Sequence, residues 1–177
     1  PSKSTMFLNF FKNFSAKRIL KKSSLHVKGN PSSHPIKTVG LLIDKTYFED
    51  KLNLIEELLA HGIKRENIQI LLYKDKFKKK ETINYPSFSH KDLSFKGSLD
   101  NQNVTDFTNK EFDMLISYYD TEKAPLMIAT FKSKANFKVG FSTIDKRLNH
   151  FMITTNAENY KVFVSELFKY LKILNKI

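Results

Sequence analysis

The stretch KTVGLLIDKTYFEDKLNLIEELLAHGIKRENIQILLY, residues 37–73, decides the fold. It opens with an apolar run over 37–43 and closes with another over 68–73, each short and typical of a buried strand. Between them, residues 46–62 carry apolar side chains at helical spacing and end on Gly62, a residue suited to a helix C-terminus. The stretch therefore predicts a strand, a helix and a second strand, which is the βαβ unit of a parallel sheet.

The helix within this unit is expected to be amphipathic. Asp44 follows the first strand directly and is expected to cap the helix, because Asp is a favoured N-cap residue. The side chains expected to form its buried stripe are Phe48, Leu52, Ile55, Leu58 and Leu59.

The remainder of the chain repeats the same alternation. Further strands are predicted over 112–119, 137–142 and 150–155, and further helices over 123–135 and 157–175. Gly40 and Gly140 fall inside predicted strands, where glycine indicates close backbone packing. The pattern predicts an α/β fold, a three-layer sandwich with a mostly parallel sheet of about five strands, flavodoxin-like or Rossmann-like.

Two regions depart from that alternation. Residues 1–36 are expected to form a basic N-terminal helix, over 6–22, and an extended arm, ahead of a single α/β domain over 37–177. Inside the domain, residues 74–104 form a long basic insertion with a possible short strand over 92–97. One face of the N-terminal helix is expected to present Phe7, Phe10, Phe11 and Phe14.

Charge is concentrated toward the N-terminus. The chain has a formal net charge of +12, and its first 43 residues contain eight basic residues and no acidic one. Such a segment indicates a polyanionic partner. Lysine contacts phosphates as a point charge and does not read bases, so structured RNA is favoured over a specific DNA sequence. The predicted contacts are Lys12, Lys17, Arg18, Lys21, Lys22, Lys28, Lys74, Lys76, Lys78, Lys79, Lys80, Lys132 and Lys134.

Motifs for chemistry are missing from the sequence. There is no Cys, and the five glycines are too far apart to form either common phosphate-binding loop. No catalytic residue, metal ligand or small-molecule cofactor is predicted. One alternative uses three acids at expected strand ends, Asp44, Asp120 and Asp145, which could bind a divalent metal or accept a phosphoryl group. The simpler interpretation places the first two at helix N-caps and the third in a turn.

Several stretches resemble a family of small basic bacterial proteins classed as a domain of unknown function. They are TVGLLID (38–44), NKEFDMLISYY (109–119), SKANFKVGFST (133–143), RLN (147–149) and LKILNKI (171–177). The resemblance runs from about Met6 to the C-terminus. It implies a bacterial protein with one α/β domain, and it transfers no active site.

Three functions remain open at this point. The leading hypothesis is a non-catalytic, cytoplasmic accessory protein that binds structured RNA, with rRNA and neighbouring ribosomal proteins as its partners. The second is a peripheral protein anchored to an anionic membrane surface by its phenylalanine face and basic residues. The third is an enzyme or small-ligand sensor that uses the crevice at the strand ends.

Overall fold

The computed structural model describes residues 34–79 and 81–177. Six strands in these residues form one all-parallel sheet, with the order β3–β2–β1–β4–β5–β6. The prediction of a mostly parallel sheet is confirmed, although the sheet has one strand more than expected. The strands are β1 (Val39–Asp44), β2 (Ile68–Lys74), β3 (Ser87–Ser89), β4 (Met114–Tyr118), β5 (Phe137–Phe141) and β6 (Phe151–Ile153).

Four α-helices cover this sheet in the described residues. They are α1 (Lys51–Ala60), α2 (Gln102–Asn109), α3 (Ala124–Lys132) and α4 (Tyr160–Ile173). Helix α1 packs with α4, and α2 packs with α3. Right-handed connections place one pair on each face, so the three-layer sandwich is confirmed. The strand order is that of the doubly wound Rossmann type, in which the direction of winding reverses between β1 and β4.

Strand β1 lies at the centre of the sheet, and its close packing explains Gly40. A Cβ atom built on Gly40 would lie 2.6 Å from Cδ2 of the buried Phe112. Gly140 in β5 is similar, because a Cβ there would lie 2.6 Å from Nδ2 of Asn149. Close packing at both glycines was expected from the backbone, whereas the neighbouring atoms belong to side chains outside the strands.

The first helix is shorter than predicted. It begins at Lys51, and Leu54, Ile55 and Leu58 face the core, whereas Leu52 is 55% exposed. Leu52 lies in the first turn, off the stripe that contacts the sheet, so its assignment to the core was wrong. Gly62, with φ of 98°, directly follows the last helical turn as predicted.

Asp44 does not cap this helix, because a loop over residues 45–50 separates them. Its Oδ1 accepts a hydrogen bond from Thr46 N at 2.9 Å, and Asp50 occupies the N-cap position. Asp44 therefore belongs to the loop that leaves β1, and the cap prediction was wrong.

The basic insertion holds more regular structure than expected. Strand β3 and the start of α2 lie in it, and neither was predicted. Residues 92–97 form no strand, because Ser94 N donates to Ser98 O at 2.9 Å and closes a tight turn in which Gly97 has φ of 83°. Only Leu93 makes an isolated antiparallel bridge, to Leu99.

Two polar contacts fasten the amino ends of the strands. Oδ2 of Asp113, just before β4, accepts hydrogen bonds from Lys37 N at 2.9 Å and Thr38 N at 2.8 Å. Burial alone would raise the pKa of Asp113, but these bonds outweigh it and lower that pKa. Ile36 N also donates to Lys176 O at 2.8 Å, so the chain enters and leaves the fold side by side.

A basic pair consists of the buried Lys138 on β5 and the half-buried His150 just before β6. Lys138 Nζ donates to the Thr130 and Phe131 carbonyls at the end of α3, at 2.8 and 3.3 Å. Burial lowers the pKa of Lys138 to about 8. His150 Nδ1 accepts the Lys138 backbone N–H at 2.9 Å. Burial, and then the charges of Lys138 and Lys176, lower the pKa of His150 to about 4.

Gly40→Ala is expected to lower the free energy of unfolding by about 1–3 kcal/mol, because the new methyl group overlaps the Phe112 ring. In a Phe112→Leu background the penalty should shrink, since the smaller side chain leaves space. Gly62→Ala is the control, because its cost comes from a positive φ with no neighbouring atom within 4 Å and should not depend on residue 112. Urea unfolding of the wild type, the three single variants and the two double variants tests this. An unchanged Gly40→Ala penalty would contradict the steric cause.

Stability should fall as the pH drops from about 6.5 toward 4. In that window the unfolded chain protonates His150, whereas the folded chain keeps it neutral, so acid favours unfolding. His150→Asn keeps an acceptor for the Lys138 N–H but cannot titrate, and should flatten the pH profile of thermal unfolding. His34→Asn, at an exposed position, controls for the loss of a histidine. Parallel profiles for wild type and His150→Asn would refute the prediction.

Candidate functional site

The candidate site lies at the carboxyl ends of the strands, beside the point where the winding reverses. Because the sheet is all parallel, every strand ends at the same edge. The loop after β1, residues 45–50, and the loop after β4, residues 119–123, lead to helices on opposite faces, which is the arrangement that forms a crevice in doubly wound folds. Doubly wound folds bind their ligands in this crevice.

One lysine connects the loops that border the crevice. Lys123, at the N-cap position of α3, lies 2.7 Å from Asp44 Oδ2 and 3.0 Å from Asp75 Oδ1, and its Nζ donates to Thr46 Oγ1 at 3.1 Å. The side chains of Lys123 and Asp44 are only 15% and 11% exposed. The ammonium group therefore joins the ends of β1 and β2 to the start of α3.

Tyr73 supports this network from the core. Its hydroxyl donates to Asp75 Oδ1 at 3.0 Å, and Asp75 N donates to Thr46 Oγ1 at 3.2 Å. Burial, and then the nearby Asp75 charge, raise the pKa of Tyr73, so the phenol remains a donor. The loops after β1 and β2 are thus held in fixed contact.

Tyr47 projects from this network into solvent. Its side chain is 88% exposed, and Lys123 Nζ lies 5.4 Å from the centroid of its ring. That distance lies within the range of a cation–π interaction. An aromatic ring with an ammonium group near it is therefore displayed at the mouth of the crevice.

A second group of lysines lies beside the first. Lys74 Nζ lies 2.8 Å from Glu81 Oε1, and Lys45 Nζ lies 3.9 Å from the same oxygen. Lys51 Nζ lies 4.7 Å from the centroid of the Tyr85 ring. Burial, and then the charge of Lys45, lower the pKa of Lys51. Hydrogen bonds, first from Lys74, lower the pKa of Glu81. Its carboxylate lies near the ammonium groups of both Lys74 and Lys45.

The predicted phosphate-contacting lysines fall into three groups. Lys76, Lys78 and Lys79 are exposed and follow Asp75 at the carboxyl end of β2, whereas Lys74 is bonded to Glu81. The exposed pair Lys132 and Lys134 precedes β5, so it lies at the opposite end of the sheet.

The other predicted residues lie outside the described part of the chain. These are Lys12, Lys17, Arg18, Lys21, Lys22, Lys28 and Lys80, together with the phenylalanine face Phe7, Phe10, Phe11 and Phe14.

The three acids of the alternative site each have a partner within the protein. Asp44 bonds to Lys123, Asp120 Oδ2 accepts Ala157 N at 2.8 Å, and Asp145 bonds to Arg147 through Nε at 2.9 Å. Asp145 lies in a turn as expected, but Asp120 does not cap a helix, because α3 begins at Ala124. In residues 34–79 and 81–177, no group of three or more His, Asp or Glu side chains is placed to hold a metal ion.

Most residues of this site were not predicted from the sequence, and Lys123 and Tyr47 are the two that matter most for its chemistry. Lys123 was expected to begin a helix, and Tyr47 was assigned to one. Their meeting depends on β1 and β4 being neighbours, which no local pattern reveals. The only available signal was that both follow strands that end in the same crevice.

None of the helices in the described residues is long and apolar enough to cross a membrane.

A family model with the description "Family of unknown function (DUF6913)" matches residues 12–174. The expected membership in a family of unknown function is confirmed. No curated protein matches the chain, and no solved structure matches it.

Lys123→Met is expected to lower the free energy of unfolding by about 1–3 kcal/mol, because it leaves two carboxylates without their shared cation. Lys132→Met removes an exposed lysine at the other end of the same helix and should cost less than about 0.5 kcal/mol. Chemical denaturation measures both. Equal effects of the two substitutions would contradict the role given to Lys123.

Proposed function

The chain belongs to DUF6913, a family of unknown function, and we propose that it is a non-catalytic RNA-binding protein. Its partner is structured RNA, with rRNA and neighbouring ribosomal proteins as the assembly and the cytoplasm as its location. The described contact surface is the carboxyl edge of the sheet around Lys76, Lys78 and Lys79. We name this the carboxyl-edge surface and include Tyr47 in it.

The observation that carries the proposal is the arrangement of charge on this surface. Three exposed lysines follow Asp75 within four residues. Behind them, the ammonium groups of Lys45, Lys51, Lys74 and Lys123 lie near four carboxylates, those of Asp44, Glu49, Asp75 and Glu81. These four acids balance the four lysines behind the surface, so the exposed Lys76, Lys78 and Lys79 remain as positive charge available to an anion.

Chemistry favours nucleic acid as that anion. Lysines without a glycine-rich loop bind phosphate through charge, which suits a repeated backbone better than one small phosphorylated ligand. The exposed Tyr47 beside them adds a flat aromatic surface, as RNA-binding surfaces commonly do.

The membrane-anchor and enzyme or sensor hypotheses depend on other residues. The membrane-anchor alternative depends on residues 6–22, outside the described part of the chain, and stays a prediction. The enzyme or sensor alternative has no specific observation in its favour, since Asp44, Asp120 and Asp145 each have a protein partner.

The proposal is tested by the salt dependence of binding. The full chain is titrated with a fluorescent rRNA-type hairpin at several salt concentrations, and log Kd is plotted against log salt. The triple variant Lys76→Gln/Lys78→Gln/Lys79→Gln should bind more weakly, and the slope should fall by about 2, since each lost contact removes roughly 0.7–0.9.

A matched control removes the same charge from another surface. Lys161, Lys169 and Lys172 are exposed on α4, and their triple substitution by Gln should leave the slope unchanged. Equal losses of slope in both triple variants would show that only net charge matters and would overturn the carboxyl-edge surface. No binding by the wild-type chain at low salt would overturn RNA binding itself.

A further inference from the structure

We propose that Tyr47 is a base-stacking platform, so that the carboxyl-edge surface selects an unpaired base of the RNA. This inference rests on the proposed RNA-binding function and specifies its ligand. It concerns single-stranded positions, such as the loop of a hairpin or a bulge, because only an unstacked base can lie on a protein ring.

The first reason is the exposure of Tyr47. At 88% exposure it is the most exposed of the large hydrophobic side chains in the described residues. The neighbouring Phe48 turns inward, is 6% exposed, and packs 4.9 Å from the Tyr118 ring. The loop after β1 thus anchors itself through Phe48 and leaves Tyr47 displayed.

The second reason is that the display is organised. Lys123 Nζ near the Tyr47 ring is fixed by Asp44, Asp75 and Thr46. The residue before Tyr47 is also fixed, because Thr46 N donates to Asp44 and Thr46 Oγ1 accepts Asp75 N. Because hydrogen bonds hold the loop that carries the exposed ring, little conformational entropy is lost when a ligand stacks on the ring.

The third reason is the position of the phosphate-binding lysines. Thr46 and Asp75 are hydrogen-bonded to each other, Tyr47 follows the first, and Lys76 follows the second. The aromatic ring and the lysine run therefore start from the same point of the surface. Binding sites for single-stranded nucleic acid combine aromatic platforms with basic groups that follow the backbone.

The fourth reason is the place of Tyr47 in the fold. It stands at the mouth of the crevice between β1 and β4, where doubly wound folds bind their ligands. The loop over residues 45–50 has no glycine with which to wrap a phosphate. At this position the ring of Tyr47 can stack on a base of the RNA, and the neighbouring lysines can bind the phosphates.

The test uses the absence of tryptophan from the chain. Tyr47→Trp makes residue 47 the sole indole, so its emission reports contact at this position alone. We expect an RNA hairpin with an unpaired loop to quench that emission and a blunt duplex of the same stem to leave it nearly unchanged.

Affinity measurements supply the second readout. Tyr47→Ala should weaken binding of the hairpin by about 5- to 100-fold, with an unchanged slope against salt, because stacking releases no counterions. Tyr47→Phe should bind within about twofold of wild type, since the ring remains. Leu52→Ala removes an exposed apolar side chain nearby, 55% exposed, and should change nothing.

The outcomes separate this inference from the function on which it rests. If wild type binds neither RNA, the proposed function fails. If wild type binds both RNAs with a steep salt dependence and Tyr47→Ala binds the hairpin equally well, only the stacking inference fails. An equal loss on hairpin and duplex would also overturn it. Thermal unfolding of Tyr47→Ala should match wild type, because the ring makes few core contacts.

Discussion

The neighbourhood of β1 and β4 is the constraint on which the other features depend. These strands lie far apart in sequence and next to each other in the sheet, and each end of the pair is fastened by a charged side chain. At the amino end, Asp113 binds the backbone of Lys37 and Thr38. At the carboxyl end, Lys123 reaches across to Asp44. Asp113 and Lys123 thus hold β1 and β4 together at both ends of the pair, where the direction of winding reverses.

The same constraint divides the charged surface. In an all-parallel sheet, the residues after a strand and the residues before the next one lie at opposite edges. Lys76 and its neighbours therefore share an edge with Tyr47, whereas Lys132 and Lys134 share the other with Asp113. The two lysine clusters in the described part of the chain look equivalent in sequence, but of these two only the first has an exposed aromatic ring and a partly buried network of ions beside it.

Much of the fold could be predicted, because its signals are local. The apolar runs at 37–43 and 68–73 and the position of Gly62 need only a few residues of context. Leu52 shows where local pattern failed, since its spacing to Ile55 and Leu59 fits a helical stripe, but the side chains that face the core are Leu54, Ile55 and Leu58. The short β3 and α2 were missed because three or eight residues show too little periodicity.

The site was harder to predict for a physical reason. Lys123 and Asp44 are 79 positions apart, and their contact follows from strand order, which no single segment specifies. Asp44 was identified as a strand-end acid, but its partner was not. The amino-acid composition does not show which lysine pairs with which carboxylate. Tyr47 likewise could be placed at the site only once the structure showed that the helix assigned to it begins at Lys51, four residues beyond Tyr47.

The bond between Ile36 N and Lys176 O fixes where the N-terminal segment joins the fold. It places both ends of the fold at the amino edge, whereas Tyr47 stands at the carboxyl edge. The six residues of β1 separate these edges by roughly 20 Å. A partner that touches the basic N-terminal segment where it joins the fold, and also touches Tyr47, must run along the full height of the domain. For the RNA that we propose as the partner, a mononucleotide is too short, and several consecutive nucleotides are needed to cover the distance.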